Sequence, residues 1–233
     1  MHILAIDTTA TIAAGAICDG DKLITEYTVR TTLTHSETML PMIESMLKTA
    51  KMDISDIDIF ACSAGPGSFT GVRIGVSTIK GLAFASNKPC IGVSTLEAMS
   101  HNLDFIVNDA IICPVMDARR GQLYNALFKN GQRLCDDRCI MADELEKELC
   151  ALDAPVYFVG DGYDVARKLI KLDCIKDTPE RLRYQSGYGV ALSAKSMHES
   201  NIGADFSDEK LSPIYLRPVN AQSLEERNAN QHN

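Results

Sequence analysis

One order of elements occurs twice along the 233 residues, and a repeated unit of that size restricts the chain to folds built from two like halves. Residues 3–7, 13–18 and 23–29 read as strands, and Asp19-Gly20 between the last two is a hairpin signal. The pattern then predicts a helix over 34–51, a strand over 57–64, a glycine-rich turn, a helix over 69–85, a short strand at 90–93 and a short helix at 95–102. The order restarts with strands at 111–117, 122–128 and 133–140, the last two joined through Asn130-Gly131. A helix at 142–152, a strand at 156–160 and a helix at 163–171 follow. Asp7 and Asp117 stand 110 residues apart (117 − 7), and Gly20 and Gly131 stand 111 apart (131 − 20). Two markers at nearly one offset, inside the same β-β-β-α-β-α order, indicate an internal duplication. Its boundary falls between His101 and Asp109, which predicts halves at 1–104 and 105–233.

Two mixed sheets flanked by helices give an α/β fold that resembles the duplicated, ribonuclease H-like architecture of actin, sugar kinases and the Hsp70 ATPase domain. In that architecture each half ends its first strand at a cleft, often on an acidic residue, and Asp7 and Asp117 occupy those places. The resemblance makes Asp7, Thr8, Thr9, Asp117 and Arg119 a candidate nucleotide cleft, with hydroxyls and amides reaching phosphate and carboxylates reaching hydrated magnesium. Gly160-Asp161-Gly162, after a strand, could approach an adenosine. Arg119-Arg120 is bulky where such turns are usually small, which disfavours independent ATP hydrolysis. A degenerate or partner-completed cleft, with ATP or ADP at a subunit boundary, stays open beside the plainer reading of the Asp residues as strand-end turn formers.

Composition narrows the setting. With 45% hydrophobic and 23% charged residues the chain can bury ordinary cores, and no run of 18 apolar residues suggests a membrane span. The first residues enter a strand pattern without a basic segment or signal-peptide core, so the expected location is the cytoplasm. Of the eight cysteines, Cys62, Cys90 and Cys113 lie in or beside apolar strand runs, where a free thiol acts as a small hydrophobe. Cys135 and Cys139 have no second pair to complete a zinc site, and reduced thiols are expected. Neutralising nucleic-acid phosphates needs clustered Lys and Arg. A formal net charge of −8, with Arg119-Arg120 the longest local basic run, makes the chain alone a poor binder of RNA or DNA.

Gly65-Pro66-Gly67-Ser68-Phe69-Thr70-Gly71 follows a strand and opens a helix. Its amides could attract an anion, but Val72-Arg73 stands where a Walker A loop needs Lys-Ser/Thr. A phosphate cradle and a tight connector that positions a helix both remain, the connector favoured. The helix before it starts with the capping-box spacing Thr34…Glu37 and contains Pro41, which should remove one hydrogen bond. Met39, Ile43, Met46, Leu47 and Ala50 form a broad apolar stripe, widened by Leu40 and Met42. On the second helix Val72, Val76, Ile79 and Ala83 share a face, while Gly71, Gly75, Thr78, Gly81 and Ala85 keep other stretches thin. Interior glycine costs about 0.5–1 kcal/mol per position relative to alanine, so packing geometry must compensate. Helix-on-sheet packing and a two-helix partner surface are both consistent with these stripes, the partner surface favoured.

A more specific resemblance runs from residue 3 to about 218. Ile3-Leu4-Ala5-Ile6-Asp7-Thr8-Thr9, His35-Ser36-Glu37, the glycine turn continued through Val72-Arg73-Ile74-Gly75, and Lys80-Gly81-Leu82-Ala83 look like the TsaB family, also called YeaZ. So do Gly92-Val93-Ser94-Thr95-Leu96-Glu97, Asp117-Ala118-Arg119-Arg120 and Tyr215-Leu216-Arg217-Pro218, whereas residues 130–205 carry little signature. The resemblance implies a non-catalytic scaffold that forms a heterodimer with TsaD, the enzyme transferring a threonylcarbamoyl group to the adenosine beside the anticodon of certain tRNAs. It also implies an ATPase, TsaE, that binds the pair, a homodimer through the same helices when the chain is alone, and contact with tRNA only through the complex. His35, Met39, Met42, Met46, Phe69, Val72, Arg73, Val76 and Lys80 are the interface residues this predicts, with Met46→Glu or Val76→Arg expected to abolish pairing while the monomer stays folded. His35 itself reads as a helix-start and packing residue. TsaD-like enzymes hold metal with an H-x-x-x-H pair, and the matching positions here are Thr95 and Met99. No metal, no other tightly held cofactor and no catalytic residue is therefore expected, and His101 stands alone. A free-standing kinase-like or glycopeptidase-like enzyme of the same superfamily is the alternative. The polar stretch 221–233, about the last 12 residues, predicts a frayed helix or a disordered tail.

Overall fold

The computed structural model describes residues 1–104 and 106–217, so the expected tail at 221–233 lies outside the described residues. The first sheet contains β1 (His2–Asp7), β2 (Ile12–Asp19), β3 (Lys22–Arg30), β4 (Ile59–Gly65) and β5 (Cys90–Ser94), in spatial order β3-β2-β1-β4-β5. The second contains β6 (Ile111–Asp117), β7 (Gln122–Asn125), β8 (Phe128–Lys129), β9 (Gln132–Arg133), β10 (Arg138–Met141), β11 (Val156–Val159) and β12 (Ile175–Lys176). Its main path runs β10-β7-β6-β11-β12. In both sheets the first strand is antiparallel to the second and parallel to the fourth, and the fourth is parallel to the fifth. The same 3-2-1-4-5 order in each half is the duplication seen in space, and it is the duplicated actin-like α/β architecture.

The two halves differ at Pro114 of β6, where the antiparallel partner strand is interrupted. Proline has no N–H to give to a ladder. The strand expected over 122–128 accordingly breaks into β7, paired with residues 115–117, and β8, paired with residues 111–112. Asn125 turns inward at the break, and its Nδ2 donates to the Pro114 carbonyl at 3.2 Å and the Ala126 carbonyl at 2.9 Å. The strand expected over 133–140 likewise divides into β9 and β10.

Four helices carry the layers that matter for function. On one face of the first sheet lie α1 (His35–Ala50) and α2 (Phe69–Ser86), which bury Met39, Met42, Ile43, Met46, Val72, Val76 and Ile79 against Leu4, Ile6, Ile17 and Phe60. Against the other face lie α3 (Thr95–Ser100) and α6 (Gly187–Ser200); between these two in sequence come α4 (Ala142–Ala151) and α5 (Tyr163–Leu169), which cover the second sheet. Neither β12 nor α6 was legible in the sequence. Helix α6 packs Val190, Ala191 and Ala194 on Ile3, Ala5, Ala16 and Ile91 of the first sheet. A Cβ on Gly187 would strike the backbone of Gly15 and Ala16, so only glycine allows this approach. The chain then stays on the first half: the Cys90 N–H donates to Phe206 O at 2.8 Å, and the Ile214 N–H to Ala64 O at 2.7 Å. Helix α6 and the contacts of Phe206 and Ile214 therefore lie on the first sheet, although they follow the second sheet in sequence.

All eight cysteines are free, and burial pushes the Cys90 thiol up to about 11 and the Cys18 thiol up to about 12. Among the described residues no helix is long and apolar enough to cross a membrane.

Candidate functional site

The β1–β2 turn and the glycine turn are built into each other. Asp7 is buried; its Oδ1 accepts from the Thr9 N–H at 2.8 Å and the Thr9 hydroxyl at 2.7 Å, and its Oδ2 accepts from Ser63 Oγ. Thr8 Oγ1 donates to Gly71 O at 2.7 Å, and the Ser68 N–H donates to Thr9 O at 2.7 Å. Added Cβ atoms at Gly67, Gly71 and Gly75 would collide with Thr8 or Thr9. His35 Nε2 donates to Ala10 O at 2.6 Å and so pins the start of α1 to the same turn. The glycines therefore allow the close approach of α2 to residues 8–9, as a tight connector requires.

The same geometry bears on the candidate nucleotide cleft. Asp7, Thr8 and Thr9 are no more than 1% exposed, and every oxygen of the Asp7 carboxylate is engaged. In the second half Asp117 repeats the turn, its Oδ1 accepting from the Arg119 N–H at 2.8 Å and its Oδ2 pairing with Arg119 Nη1 at 3.1 Å. Arg119 and Arg120 both adopt positive φ, 66° and 56°, in this turn. The structure thus places Asp7 and Asp117 as equivalent turn formers and leaves no open face on residues 7–9.

A third carboxylate joins them. Burial pushes Asp161 up to about 6, with the Asp7 and Asp117 charges adding to the shift, and Asp161 Oδ1 has no hydrogen-bond partner. Burial also raises Asp7, against the hydrogen bonds from Ser63 and Thr9. An unfolded Asp titrates near 3.9. Between about pH 4 and 6 the folded chain keeps a proton on Asp161 that the unfolded chain releases, so this group's contribution is full below about pH 4 and is lost as pH rises through about 6. A shift of roughly two units corresponds to about 2–3 kcal/mol. We expect Asp161→Asn to gain stability over the parent chain by that amount as pH is raised from 4 to 7 in urea titrations. A pH-independent difference would show that Asp161 titrates normally.

At the positions equivalent to a metal pair, Thr95 and Met99 are both fully buried, Met99 in the core between the halves. His101 bridges instead, Nδ1 to Asp104 Oδ2 at 2.7 Å and Nε2 to Ser193 Oγ at 3.1 Å, tying the end of α3 to α6. Among the described residues no group of three or more His, Cys, Asp or Glu is arranged to hold a metal ion.

The expected partner residues separate into two sets. Met39, Met42, Met46, Val72 and Val76 are at most 5% exposed and pack into the core against the first sheet, Met39 also bordering the groove between the two helices. The stripes were real, but they face the chain's own sheet. Lys80 is also occupied, its Nζ donating to Leu211 O at 3.2 Å. Phe69 and Arg73 do face outward. The Arg73 guanidinium lies 3.7 Å over the Phe69 ring, and its Nε donates to Tyr215 OH at 2.9 Å, so the late Tyr215-Leu216-Arg217 segment completes this surface. A groove between the helices is lined by Ser36, Leu40, Phe69, Arg73, Ile74 and Ser77. Leu40 is 56% exposed, and Phe84, absent from the expected set, is 76% exposed on the same outer side of α2. The signal for Phe84 was a large aromatic between Ala83 and Ala85, on the side opposite the Val72–Val76–Ile79 row.

A family model described as TsaD, tRNA N6-adenosine threonylcarbamoyltransferase, matches residues 30–221. The tRNA threonylcarbamoyladenosine biosynthesis protein TsaB of Bacillus subtilis is 38% identical over 176 residues, covering 73% of this chain and 76% of that protein. Its Escherichia coli namesake is 36% identical over 132 residues, 57% of each chain. Among solved structures, a Pseudomonas aeruginosa protein described as similar to the peptidase YeaZ superimposes with a TM-score of 0.78 at 22% identity, covering 93% of this chain and 99% of that one. With its duplicated sheets, its glycine turn locked onto residues 8–9 and these matches, the chain belongs to the TsaB (YeaZ) family.

Proposed function

We propose that the chain is a non-catalytic subunit in the formation of threonylcarbamoyladenosine on tRNA. It docks on the TsaD transferase through the outer sides of α1 and α2 and takes part in a complex with the ATPase TsaE. The single observation that carries this reading is the exposure of Leu40, Phe69 and Phe84 on that helix pair, with Arg73 stacked on Phe69, in a member of a family whose relatives are named for this pathway. Clustered aromatic and Arg side chains of this kind are what protein partners use as anchors. The buried Thr95 and Met99 support the non-catalytic part, because neither could supply the helix-borne ligand pair of a TsaD-like metal centre.

Reconstitution tests the proposal. Threonylcarbamoyl transfer to tRNA by TsaD and TsaE is expected to fall strongly when this chain is left out and to return when it is added. An unchanged rate without it would contradict the subunit role. Rapid ATP turnover by the purified chain alone would favour the free-standing enzyme instead.

A further inference from the structure

On the second half, the end of α4 and the entry to β12 enclose a crevice of about 400 Å³, and two cysteines line it, Cys150 and Cys174. Cys150 is the penultimate residue of α4 and is exposed. Cys174 immediately precedes β12 and is half-buried, packed against the core cluster that holds Leu149. A second contact fixes the two segments to each other. The Lys171 N–H donates to Glu146 Oε1 at 2.8 Å, which holds the segment leading into β12 against α4. Glu146 and Cys150 are four residues apart (150 − 146) and share one face of α4. The chain clamped at Lys171 therefore lies on the Cys150 side of the helix, three residues before Cys174 (174 − 171). The Val156 N–H donates to Cys174 O at 2.9 Å, so the other end of this segment is anchored on β11.

Accessibility separates this pair from the other six thiols. Cys18, Cys62, Cys90 and Cys113 are buried, and burial pushes their thiols up, Cys90 to about 11 and Cys18 to about 12. Cys135 and Cys139 are half-buried, and burial raises Cys135 as well. Cys150 is the one exposed cysteine of the eight. Among the described residues the pair belongs to no group arranged to hold a metal ion. Thiol–disulfide exchange needs one sulfur that a small molecule can reach and a second close enough to displace it. One crevice here supplies both.

We infer that Cys150 and Cys174 form a thiol-oxidation site whose co-reactant is a low-molecular-weight disulfide of the glutathione type. In the first step the Cys150 thiolate attacks one sulfur of glutathione disulfide. A bond forms between that sulfur and Cys150 Sγ, the S–S bond of the small disulfide breaks, and one glutathione thiolate leaves. In the second step the Cys174 thiolate attacks Cys150 Sγ and expels the other glutathione thiolate. The protons of the two protein thiols end on the two glutathiones, so two protein thiols are oxidised and one glutathione disulfide is reduced. Both cysteines sit at element ends, where the backbone adjusts most easily to the strict geometry of a disulfide. The new bond closes a loop of 24 residues (174 − 150) around β11 and α5 and fastens α4 to the start of β12. A cross-link of that span stabilises by restricting the unfolded chain. The inference does not depend on the proposed subunit role.

Peptide mapping of the full chain tests it. The folded protein is incubated with glutathione disulfide, the remaining thiols are blocked with N-ethylmaleimide, and tryptic peptides are compared with and without reduction. Trypsin separates the two cysteines, leaving Cys150 in peptide 148–167 and Cys174 in peptide 172–176. These two peptides are expected to be linked in the parent and released by reduction. Cys174→Ser keeps the attacking thiol and lacks the resolving one, so the Cys150–glutathione mixed disulfide should accumulate at least about tenfold over the parent. Cys150→Ser, a change at an exposed position that the fold tolerates, should leave Cys174 unoxidised. In urea, where the crevice is gone, the preference for this pair over the other six thiols should vanish. Absence of the 148–167 to 172–176 link in the folded parent, or the same preference in urea, would overturn the assignment. So would a Cys174→Ser variant with no more mixed disulfide than the parent, or oxidation of Cys174 at the parent's rate in Cys150→Ser.

Discussion

Met46→Glu is expected to leave no folded chain at physiological temperature. Met46 is 0% exposed, and its side chain fills the space over Gly15, where an added Cβ would stand 2.8 Å from Met46 Cε. Removing the buried thioether alone costs about 2–5 kcal/mol. A carboxylate put in its place has no cation among its core neighbours, and burying it unpaired costs several kcal/mol more, even if it takes up a proton. Against a total stability of about 5–15 kcal/mol for a domain, the sum exceeds what the fold can lose. Thermal melting by circular dichroism checks this. A cooperative transition within a few degrees of the parent would show that α1 does not sit on the sheet as described. Val76→Arg, at 4% exposure, should be milder, because a long stem can carry the guanidinium charge toward water. Either outcome differs from the sequence expectation of a folded monomer that merely loses its partner.

That difference shows what the sequence carries and what it omits. Periodicity identifies a helix and its apolar stripe, and α1 and α2 appear within a residue of the expected bounds. It does not identify what the stripe meets. The Met39–Met42–Met46 spacing suited an adaptable surface as well as a core, and only the position of the sheet decides between them. Asp7 and Asp117 were legible as equivalent strand ends because each begins the same side-chain-to-backbone turn two residues on. Helix α6 was missed for a related reason. Its apolar residues are small, chiefly Ala191 and Ala194 beside Val190, and its start, Gly187-Tyr188-Gly189, reads as a loop. Those glycines are there so the helix can touch the first sheet and the Ala98 backbone, a requirement that exists only in three dimensions.

Partner binding should instead be lost by changing the outer side of the helix pair, with the monomer intact. Phe84 is 76% and Leu40 56% exposed, so the free chain has little to lose from either side chain, within about 0.5 kcal/mol for a surface change. Phe84→Lys is the better replacement on α2, because a cation in the last turn of a helix interacts favourably with its C-terminal carbonyls. If the helix pair meets TsaD, each residue enters a desolvated interface, where an anchor truncation costs about 2 kcal/mol or more, a loss of roughly 30-fold in affinity. Leu40→Glu should do the same from the α1 side of the groove, by placing a charge against a surface built to receive an apolar chain. Because the two residues are exposed on neighbouring helices, Leu40 in the groove and Phe84 near the end of α2, their double variant should bind too weakly to detect, and any homodimer of the free chain should dissociate with it. Ile202→Lys is the control. It removes an equally apolar residue, 92% exposed, after α6 on the other side of the first sheet. Calorimetric affinity for TsaD and the sedimentation coefficient of the free chain would be measured for all four variants. If Ile202→Lys weakened binding as much as Phe84→Lys, general surface hydrophobicity would be the cause. If neither helix variant weakened it, the α1–α2 groove would not be the docking face, and the Arg73–Tyr215 contact would serve only to hold the end of the chain to the first half.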